Sequence, residues 1–356
     1  MAKITISCGT LSSGGAERVL SILSKYFTDY FEDVEYIMWT DAPVFYKIDD
    51  RVRIVNLQQR YGCKNRLKEL FAFRKHIKRN RPDLILSFLT PVNIMTLIAT
   101  SGLNIKTIVA ERNDPHCMPD NPLIRILRDV CYLKATGILT QTEYAKSYFK
   151  QPLLSKTHVI YNPVDMSESE VGSALSTPKK DILISVGRLI PQKNQKMMID
   201  AFKLFHREHE SYKLIIYGKG SHKATLSDYI HCQGLENDVI LAGVVKDIWP
   251  ILKDTKVFLL SSLTEGMSNA MLEALCLGLP VISTKVAGAT ELIRDGYNGY
   301  LVNMNDVEDM SEKMAAIVDD ESHAYNLGKN AATIYKSLNE GNIGPQWIEY
   351  IKSILN

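Results

Sequence analysis

Apolar and polar positions alternate between two periods along this chain. Residues 3–8, 34–39, 52–56, 83–88, 107–110, 137–140 and 158–161 are short apolar runs, and they read as buried strands. Between them, apolar residues recur three and four apart, which predicts helices over 16–27, 66–80, 92–100, 122–134 and 142–148. Strands alternating with amphipathic helices imply a parallel sheet covered on both faces. The rhythm breaks between Pro163 and Lys180, where 166–178 is small and polar and reads as a linker. A second alternation follows, with strands at 181–186, 213–217, 239–241, 257–261, 281–284 and 299–302. Helices are expected there at 195–208, 224–233, 248–254, 289–294 and 307–319, with a last one at 345–355 carrying Trp347, Ile348, Ile351 and Leu355. The pattern predicts two doubly wound α/β domains, 1–165 and 181–340, joined by a linker at 166–180 and closed by a helical segment, 341–356. Two such domains place a ligand cleft between the C-terminal ends of their sheets.

Composition narrows the class. A chain of 356 residues is too long for one ordinary core, and 46% apolar content supports a fully folded protein. No run approaches 18 apolar residues, so no membrane span is expected, and the N-terminus reads as a strand rather than a signal peptide. Cys8, Cys63, Cys117, Cys131, Cys232 and Cys276 form no CxxC pair, which fits a reducing cytosol and argues against a disulfide framework or zinc site. The net charge of +2 hides an asymmetry: 23 Lys and Arg against 16 acids up to residue 165 (+7), then 19 against 24 (−5). Much of the excess is Arg60, Lys64, Arg66, Lys68, Arg74, Lys75, Lys78, Arg79 and Arg81, against the single acid Glu69. Leu67, Leu70, Phe71, Phe73 and Ile77 interleave with them at roughly helical spacing. The segment 60–81 is either a basic amphipathic helix for an anionic membrane surface or a solvated helix covering the sheet. Nucleic-acid binding is disfavoured, because no recognised motif accompanies the patch.

The densest chemistry lies in 263–280. Glu265 precedes the turn Gly266-Met267-Ser268-Asn269, and Glu273 lies within a helical run, 270–277, that Gly278 and Pro280 end. A helix N-terminus offers free N–H groups and a positive dipole end for phosphate. Eight helical residues span about 12 Å, enough for a nucleotide sugar with its sugar near Glu265, phosphates over Met267–Asn269 and ribose near Glu273. Gly187-Arg188…Lys193 follows the first strand of the second domain and supplies two cations at the ligand-binding edge of the sheet. Gly218-Lys-Gly220 is a turn where backbone can approach a ligand, or a plain tight turn. The strand end before Val244 could present its backbone to a base. Gly14 and Gly15 mark either an anion site at a helix N-terminus or a helix-packing turn. The loop Glu111-Arg112-Asn113-Asp114-Pro-His116 gathers polar side chains at a sheet edge, where useless burial would be costly. His206 and His209 lie three apart without an evident third ligand, which favours a solvated helix face over a metal site.

Taken together, Gly187-Arg188…Lys193, Gly218-Lys-Gly220, Leu241-Ala-Gly243 and Glu265-x7-Glu273 resemble the retaining glycosyltransferases of family 4, which have the GT-B fold. Gly14-Gly-Ala-Glu-Arg18, Ile160-Tyr-Asn-Pro-Val-Asp165, Gly288-Ala-Thr-Glu291 and Asp295-Gly-x-Asn-Gly299 carry the resemblance over nearly the whole chain. It implies an N-terminal acceptor domain and a C-terminal nucleotide-sugar domain, with the Trp347 helix crossing back to the first. Arg188 and Lys193 would hold the diphosphate, Glu265 the donor sugar, the backbone of Met267–Asn269 sugar and phosphate, and Glu273 the ribose. No metal or other cofactor is implied, and the donor is expected to be a UDP-sugar. Many members carry a first-domain His near the donor sugar; here Arg112, Asn113 or His116 would take that part. The Ala-Glu-Arg-Asn loop is similar to a variant in bacterial enzymes of capsule, O-antigen or glycoprotein assembly, and leans towards galactose-type or N-acetylgalactosamine donors. The expectation is a retaining hexose or N-acetylhexosamine transferase acting on a glycan or polyprenyl-linked glycan, in the cytoplasm or on the inner membrane face. A GT-B sugar-nucleotide epimerase and a non-catalytic nucleotide-sugar-binding subunit are the alternatives.

Overall fold

The computed structural model describes residues 2–63 and 65–356; Lys64, counted above among the basic residues, lies outside them. The chain forms two compact units, Met1–Asp165 with Leu338–Asn356, and Met166–Ser337.

The first unit holds seven strands: β1 (Lys3–Cys8), β2 (Asp33–Met38), β3 (Arg53–Asn56), β4 (Leu84–Phe88), β5 (Lys106–Ala110), β6 (Gly137–Thr140) and β7 (Thr157–Val159). They pair in parallel in the order β3-β2-β1-β4-β5-β6-β7, with Ile6 of β1 opposite Tyr36 and Leu86. The central strands are buried on both faces, as their continuous apolar runs require. One face is covered by the helix Gly15–Tyr30, through Val19, Leu20, Leu23 and Phe27, and by Trp347, Ile348 and Ile351 of the last helix. The other face is covered by helices Arg66–Asn80, Thr90–Thr100 and Pro122–Tyr132, contributing Phe73, Ile77, Leu97 and Tyr132. Within the basic segment, Phe73 and Ile77 therefore serve the core, whereas Leu67 and Phe71 stay exposed.

The second unit holds β8 (Ile182–Val186), β9 (Lys213–Tyr217), β10 (Val239–Gly243), β11 (Val257–Leu260), β12 (Val281–Thr284) and β13 (Tyr300–Val302), parallel in the order β10-β9-β8-β11-β12-β13. The order reverses between β8 and β11, so the chain leaves these neighbours in opposite directions and opens a crevice past their C-terminal ends.

Three expectations change. The stretch expected as a linker, 166–180, packs within the second unit: Ala174 is fully buried, Gly172 N donates to Cys276 O, and Leu175 lies against Gly278 and Gly328. A single buried Ala174 with a part-buried Leu175 inside a polar run carries too weak a periodic signal to be read. Secondly, the closing segment joins the first unit from Leu338, not from 341, and its helix runs Glu340–Leu355. Asn339 caps it by accepting from Asn342 N, so it starts a full turn before Pro345. Thirdly, helices Leu57–Tyr61 and Glu321–Ala332 are additional to the expected ones; the second is mostly polar, with only Leu327, Gly328 and Ala331 buried.

Candidate active site

The second-unit residues converge at the reversal between β8 and β11. After β8, the chain passes Gly187 and Arg188, makes the short turn Pro191–Lys193, and enters the helix Gln195–His206 through left-handed Asn194. Gln195 Nε2 donates to Arg188 O at 2.8 Å, fixing the loop. After β11 comes the loop to Glu265. The two loops are stitched together: Leu263 N donates to Gln192 O, Gln192 Nε2 to Thr264 O, and Ser261 Oγ to Lys193 O. The side chains meet as well. Lys193 Nζ donates to Glu265 Oε1, and both groups are mostly buried. Ser262 Oγ, fully buried, donates to the same carboxylate oxygen at 2.8 Å. Lys193 crosses the space above Gly187, where an added Cβ would meet its Cε at 3.4 Å. The guanidinium of Arg188 is exposed and forms no ion pair among the described residues.

Four residues beyond Glu265 the helix Asn269–Leu277 begins. Ser268 caps it by accepting from Met271 N, and left-handed Gly278 ends it. Gly266, Met267 and Ser268 are buried, and Gly288 lets a neighbouring turn press against them: its Cβ would lie 2.9 Å from Gly266 O. Asn269 and Glu273 stand one turn apart on one helix face. Burial, and then the nearby Glu273, push the Cys276 thiol up to about 12, which removes it as a nucleophile.

The Gly-Lys-Gly turn packs closely on the loop after β8. A Cβ on Gly218 would fall 1.8 Å from Gly187 O, and one on Gly220 2.1 Å from Leu189 O. These glycines are required because their turn packs on the loop that carries Arg188. Gly218 N also donates to Gly243 O, which brings exposed Val244 to the same sheet edge.

In the first unit, Gly14 and Gly15 begin the helix Gly15–Tyr30, but its N-terminus carries an anion of its own. The Glu17 carboxylate folds over Gly14, and Glu17 Oε1 accepts from Thr10 Oγ1. This helix end thus carries a carboxylate of its own.

The loop after β5 is built on buried charge. Glu111 accepts from Thr90 Oγ1 at 2.7 Å and Tyr132 OH at 2.9 Å; burial raises its pKa, and Arg128 opposes the rise. Arg112 is buried over Phe88 and Trp347, which stack on each other at 5.7 Å. Its Nη2 donates to Asn162 Oδ1, while Nε and Nη1 have no hydrogen-bond partner among the described residues. Burial lowers the affinity of that guanidinium for its proton, and the neighbouring Glu111 counters the effect. Asn113 is half-buried. His116 donates its backbone N–H to Asp114 Oδ1 and stacks on Tyr144 at 4.4 Å. Sequence reading missed Ser262, Asn162 and Glu111 as partners of the charged groups; of these, only the Asn162 motif and the polar loop around Glu111 carried any signal. His206 and His209 turn to separate acids, Asp238 and Asp319, not to a common point. Among the described residues no helix is long and apolar enough to cross a membrane.

Comparison with known proteins now bears on this geometry. The model for glycosyl transferases group 1 matches residues 167–333, and that for Glycosyltransferase Family 4 matches residues 13–168. The chain is 28% identical, over the whole of both proteins, to the GalNAc-alpha-(1->4)-GalNAc-alpha-(1->3)-diNAcBac-PP-undecaprenol alpha-1,4-N-acetyl-D-galactosaminyltransferase of Campylobacter jejuni. It is 24% identical to the amylovoran biosynthesis glycosyltransferase AmsD of Erwinia amylovora, across 96% of this chain and 95% of that one. In structure it is similar to Anabaena HepE in complex with UDP and glucose, with TM-score 0.82 at 20% identity, over 99% of this chain and 100% of that one. The two family models together span almost the whole of a chain with two doubly wound parallel sheets, and the chain belongs to glycosyltransferase family 4, with the GT-B fold, and is a hexosyltransferase.

Proposed function

We propose that this chain is a retaining transferase that moves a hexose or N-acetylhexosamine from a UDP-sugar to a lipid-linked glycan acceptor, in bacterial polysaccharide or glycoconjugate assembly. The observation that carries this reading is the junction at β8 and β11, where Lys193, Glu265 and a Ser268-capped helix N-terminus stand together. Lys193 and the exposed Arg188 supply the positive charge a departing diphosphate needs, and the helix N-terminus adds oriented N–H groups. Glu265 receives the hydroxyls of the transferred sugar, and Glu273, one turn into the helix, those of the ribose. Val244 lies at the edge suited to the base. No metal or other cofactor is assigned a part. Cys276 is inert, and the other groups here are committed to binding, so attack of the acceptor hydroxyl on the face the diphosphate leaves accounts for retention. The acceptor is assigned to the first unit, with Asn113 and His116 as its candidate contacts.

The relatives support the substrates. The named Campylobacter enzyme acts on an undecaprenol-linked glycan, and the Anabaena structure holds UDP. A lipid-linked acceptor would bring the enzyme to the cytoplasmic membrane face, and the exposed cations of 60–81 suit such a surface. The decisive measurement is UDP release with an undecaprenyl-diphosphate glycan and a panel of UDP- and GDP-sugars. Arg188→Ala is expected to cut turnover about 100-fold or more with the fold intact; a near-normal rate would sink the assignment. A new sugar nucleotide formed from the donor alone would point to an epimerase instead.

A further inference from the structure

The helix Pro122–Tyr132 already has a buried side, formed by Arg128, Cys131 and Tyr132. Its outer side is nevertheless apolar. Leu123 is 74% exposed, Ile126 60%, Val130 56% and the following Leu133 52%, and Ile124 and Leu127 flank them. An apolar outer side on a helix that already packs through its inner side is not explained by packing on one sheet. The stripe continues across its neighbours on the same sheet face, through Ile98 of Thr90–Thr100 and Leu67 and Phe71 of Arg66–Asn80. The three helices are tied at one corner: Arg74 Nη1 donates to Ser101 O at 2.8 Å and Lys134 Nζ to Ser101 Oγ at 2.9 Å.

Charge identifies the occupant. The first and third helices carry six and two Lys or Arg, the middle one none, and the only acids of the three are Glu69 and Asp129. Glu69 is buried against Gln58 and Arg66, and Asp129 is held by Arg128 and Tyr148. Lys68, Lys75, Lys78 and Lys134 are exposed around the apolar stripe. A second copy meeting this face by two-fold symmetry would set the same cations against each other. A bilayer with anionic headgroups satisfies both parts, taking the apolar stripe below the headgroups and the lysines among them.

We propose that this three-helix layer docks the enzyme on an anionic lipid bilayer, with the Pro122–Tyr132 helix lying in the plane of the interface. The inference deepens the lipid-linked acceptor reading, on which its purpose rests, by naming the surface and its inserting element. The test is co-sedimentation of the whole chain with phosphatidylcholine vesicles, with and without phosphatidylglycerol. The chain is expected to follow the anionic vesicles only. The variant L123Q/I126Q/V130Q changes exposed positions, so its melting temperature and UDP-induced thermal shift should be kept while vesicle binding falls about tenfold or more. Charge reversal in K75E/K78E is expected to weaken binding comparably and to reduce its salt dependence. Unchanged binding of the triple variant, or a parent chain that ignores anionic vesicles, overturns the proposal. So does a dimer in sedimentation velocity that the triple variant dissolves, because a second copy then covers the face. Transfer to a short-chain, water-soluble acceptor separates the two readings: its absence in a parent that binds vesicles counts against the acceptor assignment, not against docking.

Discussion

Lys193 and Glu265 hold each other directly, and Ser262 donates to the same carboxylate. If the lysine serves the diphosphate and the glutamate the sugar, the two must share their attraction with the donor when it binds. Glu265→Gln then has a split effect. Turnover is expected to fall about 100-fold, because sugar hydroxyls lose a charged acceptor. UDP affinity should hold or rise a few-fold, because Lys193 loses its internal competitor. Calorimetric titration with UDP beside initial rates decides this; affinity falling in step with rate would move Glu265 from the sugar to the nucleotide. At this scale the sequence was informative about residue type and mute about partners. Gly218 and Gly220 were legible as unusual positions, yet what crowds them is the backbone at Gly187 and Leu189. Arg112 was legible as a polar residue at a sheet edge, but its place over Phe88 and Trp347 depends on a residue 235 positions away.

Strands and helices were the most readable objects, because period depends on neighbours alone. The helix Arg66–Asn80 and the strands Gly137–Thr140, Lys213–Tyr217 and Val281–Thr284 fall where the pattern puts them. Failures came where the signal was weak, as in polar Glu321–Ala332, or where a cap outweighed a proline, as at Asn339. Caps also give predictions. Ser268→Ala removes the acceptor for Met271 N and should cost about 1 kcal/mol, a melting shift of about 2–4 °C in a unit of this size, read by circular dichroism. The helix Gln195–His206 is followed by His209, whose pKa burial would lower, but hydrogen bonding to Asp319 and Phe205 O raises it overall. A raised value means the charged pair stabilises fully below the ordinary His value of 6.5 and fades as pH climbs through the raised one. Because Asp319 is largely exposed, His209→Gln should lower the melting temperature by only about 1–2 °C near pH 6, and by less near pH 8. An equal loss at both pH values would show that the ring acts by packing on Phe205 instead.

For the whole molecule, the division of the chain matters most. The last helix belongs to the first unit, where Trp347 is fully buried against Phe88. Trp347→Ala should therefore cost about 3–5 kcal/mol of first-unit stability, whereas the second unit should keep its melting transition and its shift with UDP. Scanning calorimetry with and without UDP tests this. A loss confined to the UDP-sensitive transition would contradict the assignment.

By itself, the sequence determined the alternation of strands and helices, the presence of two doubly wound sheets, and the cluster of cations and carboxylates suited to a nucleotide sugar. Those properties depend on periodicity and residue chemistry, which are written locally. Tertiary structure decided which charges meet, Lys193 with Glu265 across 72 positions and Arg112 with Asn162 across 50. It also decided that Glu17 takes the first helix end and that Leu123, Ile126 and Val130 face outward. An apolar stripe looks the same in sequence whether it meets a sheet or open solvent; only the packing of neighbouring elements settles which side of a helix the core uses.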